Sequence, residues 1–190
     1  MLRSDDGSAI PLLLERWTSM PTAAEIAVLD RAVGPVIDVG CGPGRHVLEL
    51  ATRGVIALGI DISPDAVAVA HGLGSAVLQR SVFERVPNEG RWETALLMDG
   101  NIGIGGDAAA LLIRLRQLLE RGGSVLAEVE RPGEPTRVEV VRVECGDEVG
   151  PWFRWDRVSI DGIDEIAERA QLTRTWTFEG EGRWFVQLQS

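Results

Sequence analysis

The fold of this 190-residue chain is decided by residues 36–44, Val36-Ile37-Asp38-Val39-Gly40-Cys41-Gly42-Pro43-Gly44. The first four residues form an apolar run around one carboxylate, which predicts a short buried strand. The glycines at every second position then allow a tight turn and let the backbone approach a ligand closely. In an α/β sheet this turn lies at the carboxyl edge of the strands, where ligands bind. The stretch therefore predicts a ligand-binding turn between a strand and a helix.

A second carboxylate suits the same kind of ligand. Asp61 ends the next apolar run, 21 positions after Gly40, where an acidic residue can accept hydrogen bonds from both hydroxyls of a ribose. Two cofactors fit this pair, a dinucleotide and S-adenosylmethionine. The dinucleotide fingerprint has a third glycine at the position that Arg45 occupies here. This departure favours S-adenosylmethionine and leaves a nicotinamide-dependent oxidoreductase as an alternative.

The rest of the chain alternates short apolar runs with amphipathic stretches, a pattern typical of strands joined by crossover helices. It predicts strands at 36–39, 55–61, 76–78, 94–98 and 124–129, and helices at 22–34, 46–52, 66–71 and from 107 to the glycines at 122–123. This order implies right-handed crossovers and a parallel sheet. The remaining residues predict an added antiparallel pair at 136–144 and 152–159, a helix at 161–171, and a hairpin of 173–178 with 183–188.

Composition excludes several classes of function. Of all residues 45% are hydrophobic and 25% are charged, as in ordinary globular domains, and the net charge is −10. A surface this acidic repels DNA and RNA, so we expect no nucleic-acid partner. Two cysteines make neither a disulfide framework nor a four-ligand zinc site, and the absence of lysine excludes lysine-anchored pyridoxal chemistry. Without a signal-like segment or a long apolar run, we expect a cytoplasmic protein with no membrane partner.

The pattern Asp38-x-Gly40-x-Gly42-x-Gly44 resembles motif I of the class I S-adenosylmethionine-dependent methyltransferases. Residues 59–63 resemble the segment that follows motif I, and residues 119–126 resemble the turn into the fifth strand of that family. The terminal hairpin is similar to the family's antiparallel seventh strand, and the chain is identified as a small actinobacterial-type member. The resemblance implies an α/β, Rossmann-like fold with a seven-stranded, mostly parallel sheet and helices on both faces. It also implies S-adenosylmethionine as cofactor and S-adenosylhomocysteine as product.

The family pattern implies a single domain, residues 1–190, in four parts. These are an N-terminal lid and helix at 1–34, a cofactor-binding core at 35–130, a substrate-side insertion at 131–160, and a last helix with hairpin at 161–190.

By the same pattern, Asp38 orients the methionine end of the cofactor, Asp61 holds the ribose, and Ile62 packs beside the adenine. The further residues implied at the cofactor are Gly40, Cys41, Gly42, Gly44, Ser81, Val82, Phe83 and Asp99. One departure concerns the adenine amino group, because the family often has an acidic residue after the third strand. Here Ser81 or a backbone amide is expected instead, and Phe83 either lies against the ring or belongs to the core.

On the acceptor side, the resemblance places the end of the fourth strand beside the transferred methyl group. Asp99 and Asn101 are therefore expected to orient the acceptor, with satisfaction of turn amides as the alternative role. His46 is the candidate general base, or it only begins a helix. No metal is expected, because the family's acidic pair is not reproduced. Three tryptophans are candidate acceptor contacts, with core or dimer packing as the alternative: Trp17, Trp152 and Trp155.

These patterns together predict an enzyme that transfers a methyl group from S-adenosylmethionine to an O, N or C nucleophile by direct displacement. The expected acceptor is a small molecule, and the expected assembly is a monomer or a homodimer. Two further alternatives stay open besides the oxidoreductase. One is a protein that binds S-adenosylmethionine without methyl transfer, and the other is a protein methyltransferase.

Overall fold

Two sheets and five helices make up the structure, a computed structural model that describes residues 1–10, 17–146 and 148–190. In chain order the strands are β1 (Leu2–Ser4), β2 (Ala9–Ile10), β3 (Val36–Val39), β4 (Ala57–Asp61), β5 (Val77–Gln79), β6 (Trp92–Leu97), β7 (Leu119–Val129), β8 (Arg137–Cys145), β9 (Glu148–Val149), β10 (Phe153–Arg157), β11 (Thr173–Gly180) and β12 (Arg183–Gln189). The helices are α1 (Ala23–Leu29), α2 (Arg45–Thr52), α3 (Pro64–Gly72), α4 (Ala108–Leu118) and α5 (Ile163–Arg169), and a 3-10 segment covers Asn101–Gly106.

The main sheet has the strand order β11-β12-β7-β6-β3-β4-β5. The five strands from β7 to β5 pair in parallel, and β12 runs antiparallel to both β7 and β11. The predicted seven-stranded, mostly parallel sheet with an antiparallel terminal hairpin is therefore confirmed. The carboxyl ends of β3, β4, β6 and β7 meet at one edge of this sheet, and the loops that leave them lie close together.

Both faces of the main sheet are covered, which is why its central strands are apolar throughout. All four residues of β3 are buried. On α4 the predicted apolar stripe is buried as a unit, with Leu111, Leu112, Leu115 and Leu118 fully enclosed in the core. This packing holds the strands rigidly and fixes the positions of the loops at their carboxyl ends.

Helix starts follow the signals in the sequence. Thr22 caps α1 by accepting from the Glu25 amide, and the Glu25 carboxylate accepts from the Thr22 amide at 2.8 Å, which completes the predicted capping box. Ser63 caps α3 ahead of Pro64, also as predicted. Asp107 caps α4 by accepting from the Ala110 amide at 3.0 Å.

The predicted end of α4 at the glycines of residues 122–123 is wrong. The helix ends at Leu118, and Leu119 already has an extended backbone and pairs with Trp92 in β6. Leu119 continues the apolar helical spacing, so the sequence gives no sign of the change. In the strand the side chain of Leu119 is still buried, so ending the helix at Leu118 does not expose this apolar side chain.

A second sheet has the strand order β10-β8-β1-β2, with β9 paired to β8. The predicted antiparallel pair exists, but N-terminal residues join it, since Leu2–Ser4 pairs with β8. Residues 11–16 of the predicted N-terminal lid lie outside the described residues. The second sheet packs beside the 3-10 segment, and Asp156 accepts from the Ala108 amide at 2.9 Å. In the described part of the chain, no helix has the length and apolarity needed to span a membrane.

We expect Leu115→Ala to lower the free energy of unfolding by about 2–5 kcal/mol, because it removes buried methyl groups and leaves a cavity in a closed core. Ile113→Ala on the same helix is the matched control, because Ile113 is largely exposed. Urea unfolding followed by circular dichroism measures both variants. Equal losses for the two would contradict the assigned orientation of α4.

Candidate active site at the strand ends

The turn after β3 is tied to the loop after β6. Gly40 has a positive φ of 70°. The Asn101 side-chain amide donates to the Val39 carbonyl at 3.0 Å and to the Gly40 carbonyl at 2.8 Å. A Cβ added to Gly40 would meet this amide, so only glycine fits there. Asn101 therefore holds the backbone carbonyls of the glycine-rich turn, a role that the sequence did not predict, and its contact with an acceptor stays a prediction.

Asp61 holds the other side of the same turn. Its carboxylate accepts from the Gly42 amide and from the Ser63 amide, each at 2.8 Å. Each carboxylate oxygen can accept a further hydrogen bond, so the side chain stays available to a bound diol. The predicted pair, the glycine-rich turn and Asp61, is thus brought together in space.

Two apolar side chains stand exposed near Asp61. Ile62 is 73% exposed and Phe83 is 49% exposed, and Phe83 lies next to Gly105. The hydroxyl of Ser81 accepts from the Phe83 amide at 3.3 Å. The contact of Ile62 and Phe83 with adenine stays a prediction.

Two residues expected at the cofactor point elsewhere. The side chain of Cys41 is buried with Val47 and Val67, and burial raises the pKa of its thiol, so the thiol is neutral. Val82 is also buried in the core. Because both side chains lie in the core, these residues can contact a ligand only through their backbones.

A ring of alternating charges lies at the ends of the strands. Arg45 donates to both Glu25 oxygens at 2.6 and 2.8 Å and to Asp99 at 2.7 Å. Arg183 donates to Glu25 and, at 3.0 Å, to the other Asp99 oxygen. Because Arg183 pairs with both Asp99 and Glu25, the four residues form a closed ring in the order Glu25, Arg45, Asp99, Arg183. It joins α1, α2, the end of β6 and β12.

Glu128 extends the ring on β7. It accepts from Arg183 at 2.7 Å and from the backbone amide of Asp99 at 2.7 Å. Asp99 has a positive φ of 55°, so its unusual backbone is fixed from both the side chain and the amide. Asp99 lies at the end of β6, as expected. Both of its carboxylate oxygens accept hydrogen bonds from guanidinium groups.

Sequence reasoning missed this ring. In the sequence, Glu25 is fully explained as the second member of the capping box. Arg45 is notable there only because it occupies the position of the third glycine of the dinucleotide fingerprint. Arg183 begins a hairpin strand, where an exposed charge is ordinary. One feature of the sequence could have indicated the ring. Arg45 directly follows motif I, so its side chain projects from the first turn of α2 near the ends of the strands.

Asp38 and His46 are buried beside the ring. Asp38 is 1% exposed, and among the described residues neither of its carboxylate oxygens has a hydrogen-bond partner. His46 is 3% exposed, between Asp38 and Glu25. Burial alone would lower the pKa of His46, but the two carboxylates outweigh it and raise the pKa to about 9. This geometry argues against the predicted general base, because a base must be neutral and reach the acceptor.

The structure does not bring the three candidate tryptophans together. Trp17 lines a small cavity of about 120 Å³ together with Leu48 and Leu73. Trp152 is half-exposed beneath the Arg142 guanidinium, 4.6 Å from its ring centre. Trp155 packs on Gly103 of the 3-10 segment and is therefore the one nearest to the loop after β6. Their contact with an acceptor stays a prediction.

Comparison with known proteins agrees with this arrangement. Residues 36–123, which include the glycine-rich turn and Asp61, match the family model Methyltransf_25, described as "Methyltransferase domain". This stretch is similar to a methyltransferase domain. The predicted resemblance to S-adenosylmethionine-dependent methyltransferases is thereby confirmed.

Solved structures of methyltransferases share the fold of this chain over most of its length. An S-adenosylmethionine-dependent methyltransferase from Bacteroides fragilis, in complex with S-adenosyl-L-homocysteine, has a TM-score of 0.82 at 23% identity, over 98% of this chain and 85% of that one. The 1,6-didemethyltoxoflavin-N1-methyltransferase of Burkholderia thailandensis has a TM-score of 0.61 at 18% identity, over 82% of this chain and 70% of that one. The CcbJ methyltransferase of Streptomyces caelestis has a TM-score of 0.65 at 17% identity, over 86% and 91%.

One cluster at the ends of the strands has the composition of a metal site. Glu25, His46 and Asp99 each place a ligand atom within 4.8 Å of the others. However, the carboxylates of Glu25 and Asp99 are already bound by Arg45 and Arg183. Guanidinium groups thus supply the positive charge that these carboxylates require, and we infer no metal site there.

We expect Glu25→Gln to lower the free energy of unfolding by about 3–5 kcal/mol, since it removes the fully buried carboxylate with which both Arg45 and Arg183 pair. Burial opposes ionisation of Glu25, but His46, Arg45 and Arg183 outweigh it and lower its pKa below the ordinary 4.5. A lowered pKa stabilises the fold above the unfolded value and loses that contribution as the pH falls. The variant should therefore unfold less steeply with acid below about pH 4.5.

The matched control is Glu134→Gln, which removes a carboxylate from an exposed pair with Arg131. Thermal unfolding between pH 3 and pH 8 measures both variants beside the wild type. A Glu25→Gln protein as stable as the control at pH 7 would show that the ring does not hold α1 in place.

Proposed function

We propose that this protein transfers a methyl group from S-adenosylmethionine to a small-molecule acceptor. The observation that carries the proposal is the pairing at the ends of β3 and β4. There, the buried carboxylate of Asp38, which has no hydrogen-bond partner among the described residues, lies on one side of the glycine-rich turn, and Asp61 lies on the other. A buried carboxylate without hydrogen bonds is suited to a strong donor such as an ammonium group.

The residues present fit this cofactor from end to end. Its ammonium group suits Asp38, its ribose hydroxyls suit Asp61, and its adenine suits the exposed Ile62 and Phe83. Gly40 and Gly42 allow the ligand to lie against the backbone, because both have positive φ and no side chain. The Bacteroides fragilis structure contains S-adenosyl-L-homocysteine on the same fold.

The cofactor, when bound, supplies a methyl group that is already bonded to a cationic sulfur leaving group. The acceptor nucleophile forms the new bond to this carbon while the carbon–sulfur bond breaks, and the electron pair stays on sulfur. The protein's task is to hold the two reactants in line, and orientation of this kind lowers the barrier substantially. Asn101 contributes by fixing the glycine-rich turn, and Arg45 and Arg183 contribute by fixing Asp99.

The ion pairs at the strand ends bear on the acceptor. In the part of the chain that the structure describes, Asp99 and Glu128 are bound by arginine, and His46 is buried between carboxylates. None of them is arranged to take a proton from an acceptor. This supports an acceptor that needs no protein base, such as a neutral amine or an oxygen or carbon that is already ionised. The Burkholderia thailandensis neighbour is named as an N1-methyltransferase, a nitrogen-directed reaction.

Calorimetric titration with S-adenosylmethionine, S-adenosylhomocysteine and NAD tests the proposal. We expect binding of the first two and none of NAD. Asp61→Asn should weaken S-adenosylhomocysteine binding at least about tenfold, since it removes the charge that strengthens the hydrogen bonds from the ribose. Asp65→Asn, an exposed position in the first turn of α3, is the matched control and should bind like the wild type.

Turnover is then measured as release of S-adenosylhomocysteine in the presence of a panel of amines, phenols and carbon acids. Acceptance of any amine or phenol supports the assigned reaction. Binding of NAD in place of the two nucleosides would overturn the proposal. Tight cofactor binding without turnover on the whole panel, or turnover only on a protein, would reject the small-molecule reaction while keeping the cofactor site.

A further inference from the structure

His46 lies between two carboxylates that come from different elements. It is in the first turn of α2, with Nδ1 3.6 Å from an oxygen of Asp38 on β3 and Nε2 3.9 Å from an oxygen of Glu25 on α1. The side chain is 3% exposed, and no described residue lies within hydrogen-bonding distance of Nε2. Each ring nitrogen therefore faces one carboxylate in a closed environment.

The charges around the imidazole are predominantly negative. Asp38 faces it from β3, Glu25 from α1, and Asp99 from the end of β6, while Arg45 of its own helix is the opposing cation. A neutral imidazole can donate from only one nitrogen, whereas two flanking carboxylates call for donors on both. The arrangement therefore stabilises the doubly protonated imidazolium, in agreement with its raised pKa of about 9.

This cation matters most for Asp38. Its carboxylate is 1% exposed, and among the described residues neither oxygen has a hydrogen-bond partner. The His46 ring lies beside it, with Nδ1 3.6 Å from one oxygen, and restricts the orientation of the carboxylate. We propose that His46 is a positioning residue that aligns the Asp38 carboxylate to receive the ammonium group of the cofactor. This inference rests on the proposed function.

A second cation beside Asp38 has a measurable consequence. The ligand's ammonium and the imidazolium share one carboxylate and repel each other, so ligand binding favours loss of the His46 proton. By linkage, the two equilibria must affect each other to the same degree. A ligand with the same nucleoside but no amino acid, 5′-methylthioadenosine, lacks this ammonium and should leave His46 unchanged.

The chain contains only two histidines, so the test can be made on one signal. His71→Gln replaces the exposed histidine near the end of α3 and leaves His46 alone. Nuclear magnetic resonance of isotope-labelled histidine then follows the His46 ring from pH 5 to pH 10. We expect titration well above the ordinary pKa of 6.5, and a decrease of at least about half a pH unit with saturating S-adenosylhomocysteine but not with 5′-methylthioadenosine.

His46→Gln gives an independent readout. At pH 7 we expect S-adenosylhomocysteine affinity to fall about tenfold, because the Asp38 carboxylate then lacks the side chain that aligns it. The affinity for 5′-methylthioadenosine should stay within about twofold, because the nucleoside end depends on Asp61. If the variant does not fold, the titration of the single-histidine protein still decides.

The outcomes separate this inference from the proposed function. If neither nucleoside ligand binds the wild type, both fall together. If S-adenosylhomocysteine binds but His46 titrates near 6.5, or titrates identically with and without that ligand, the positioning role is overturned and the cofactor site stands. Equal losses of affinity for both ligands in His46→Gln would likewise assign His46 a structural role only.

Discussion

The closed ring of Glu25, Arg45, Asp99 and Arg183 is the constraint on which the site depends. Each of its four charges has two opposite neighbours, and Glu25 and Arg45 are buried, whereas Asp99 is partly exposed. The burial of Glu25 and Arg45 makes their ion pair better defined than an exposed pair such as Arg131–Glu134. Because each ring member belongs to a different element, the ring fixes the positions of these elements relative to one another.

The ring also restrains the backbone around the expected positions of the reacting groups. Asp99 is in the left-handed region, and such a conformation persists only where its surroundings hold it in several ways. Here the ring holds the side chain, and Glu128 holds the amide. Two residues later, Asn101 fixes the carbonyls of the glycine-rich turn. The loops after β3 and β6 therefore behave as one unit, which suits a reaction governed by alignment.

Local patterns in the sequence were enough for most of the fold. The capping box at Thr22, the apolar run at 36–39 and the turn after it each specify their own structure within a few residues. The same holds for Asp61, whose distance from the turn is set by one crossover helix. The predicted end of α4 was wrong because Leu119 fits the apolar pattern of a helix and of a strand equally well. The strand at Leu2–Ser4 was not predicted because three residues are too few to show an alternating pattern. The ring was missed because its members lie far apart in the chain and each has an ordinary local explanation. Contacts of that kind depend on the completed fold.

The contact between Arg183 and Glu25 joins residues 158 positions apart. Arg183 is on β12, which lies between β7 and β11, so it reaches Glu25 only when β12 is paired in the main sheet. The parallel strands without β12 would have the glycine-rich turn but would lack the Arg183 contacts to Glu25 and Asp99. The arrangement of charges around Asp99 therefore requires the C-terminal hairpin as well as the parallel strands.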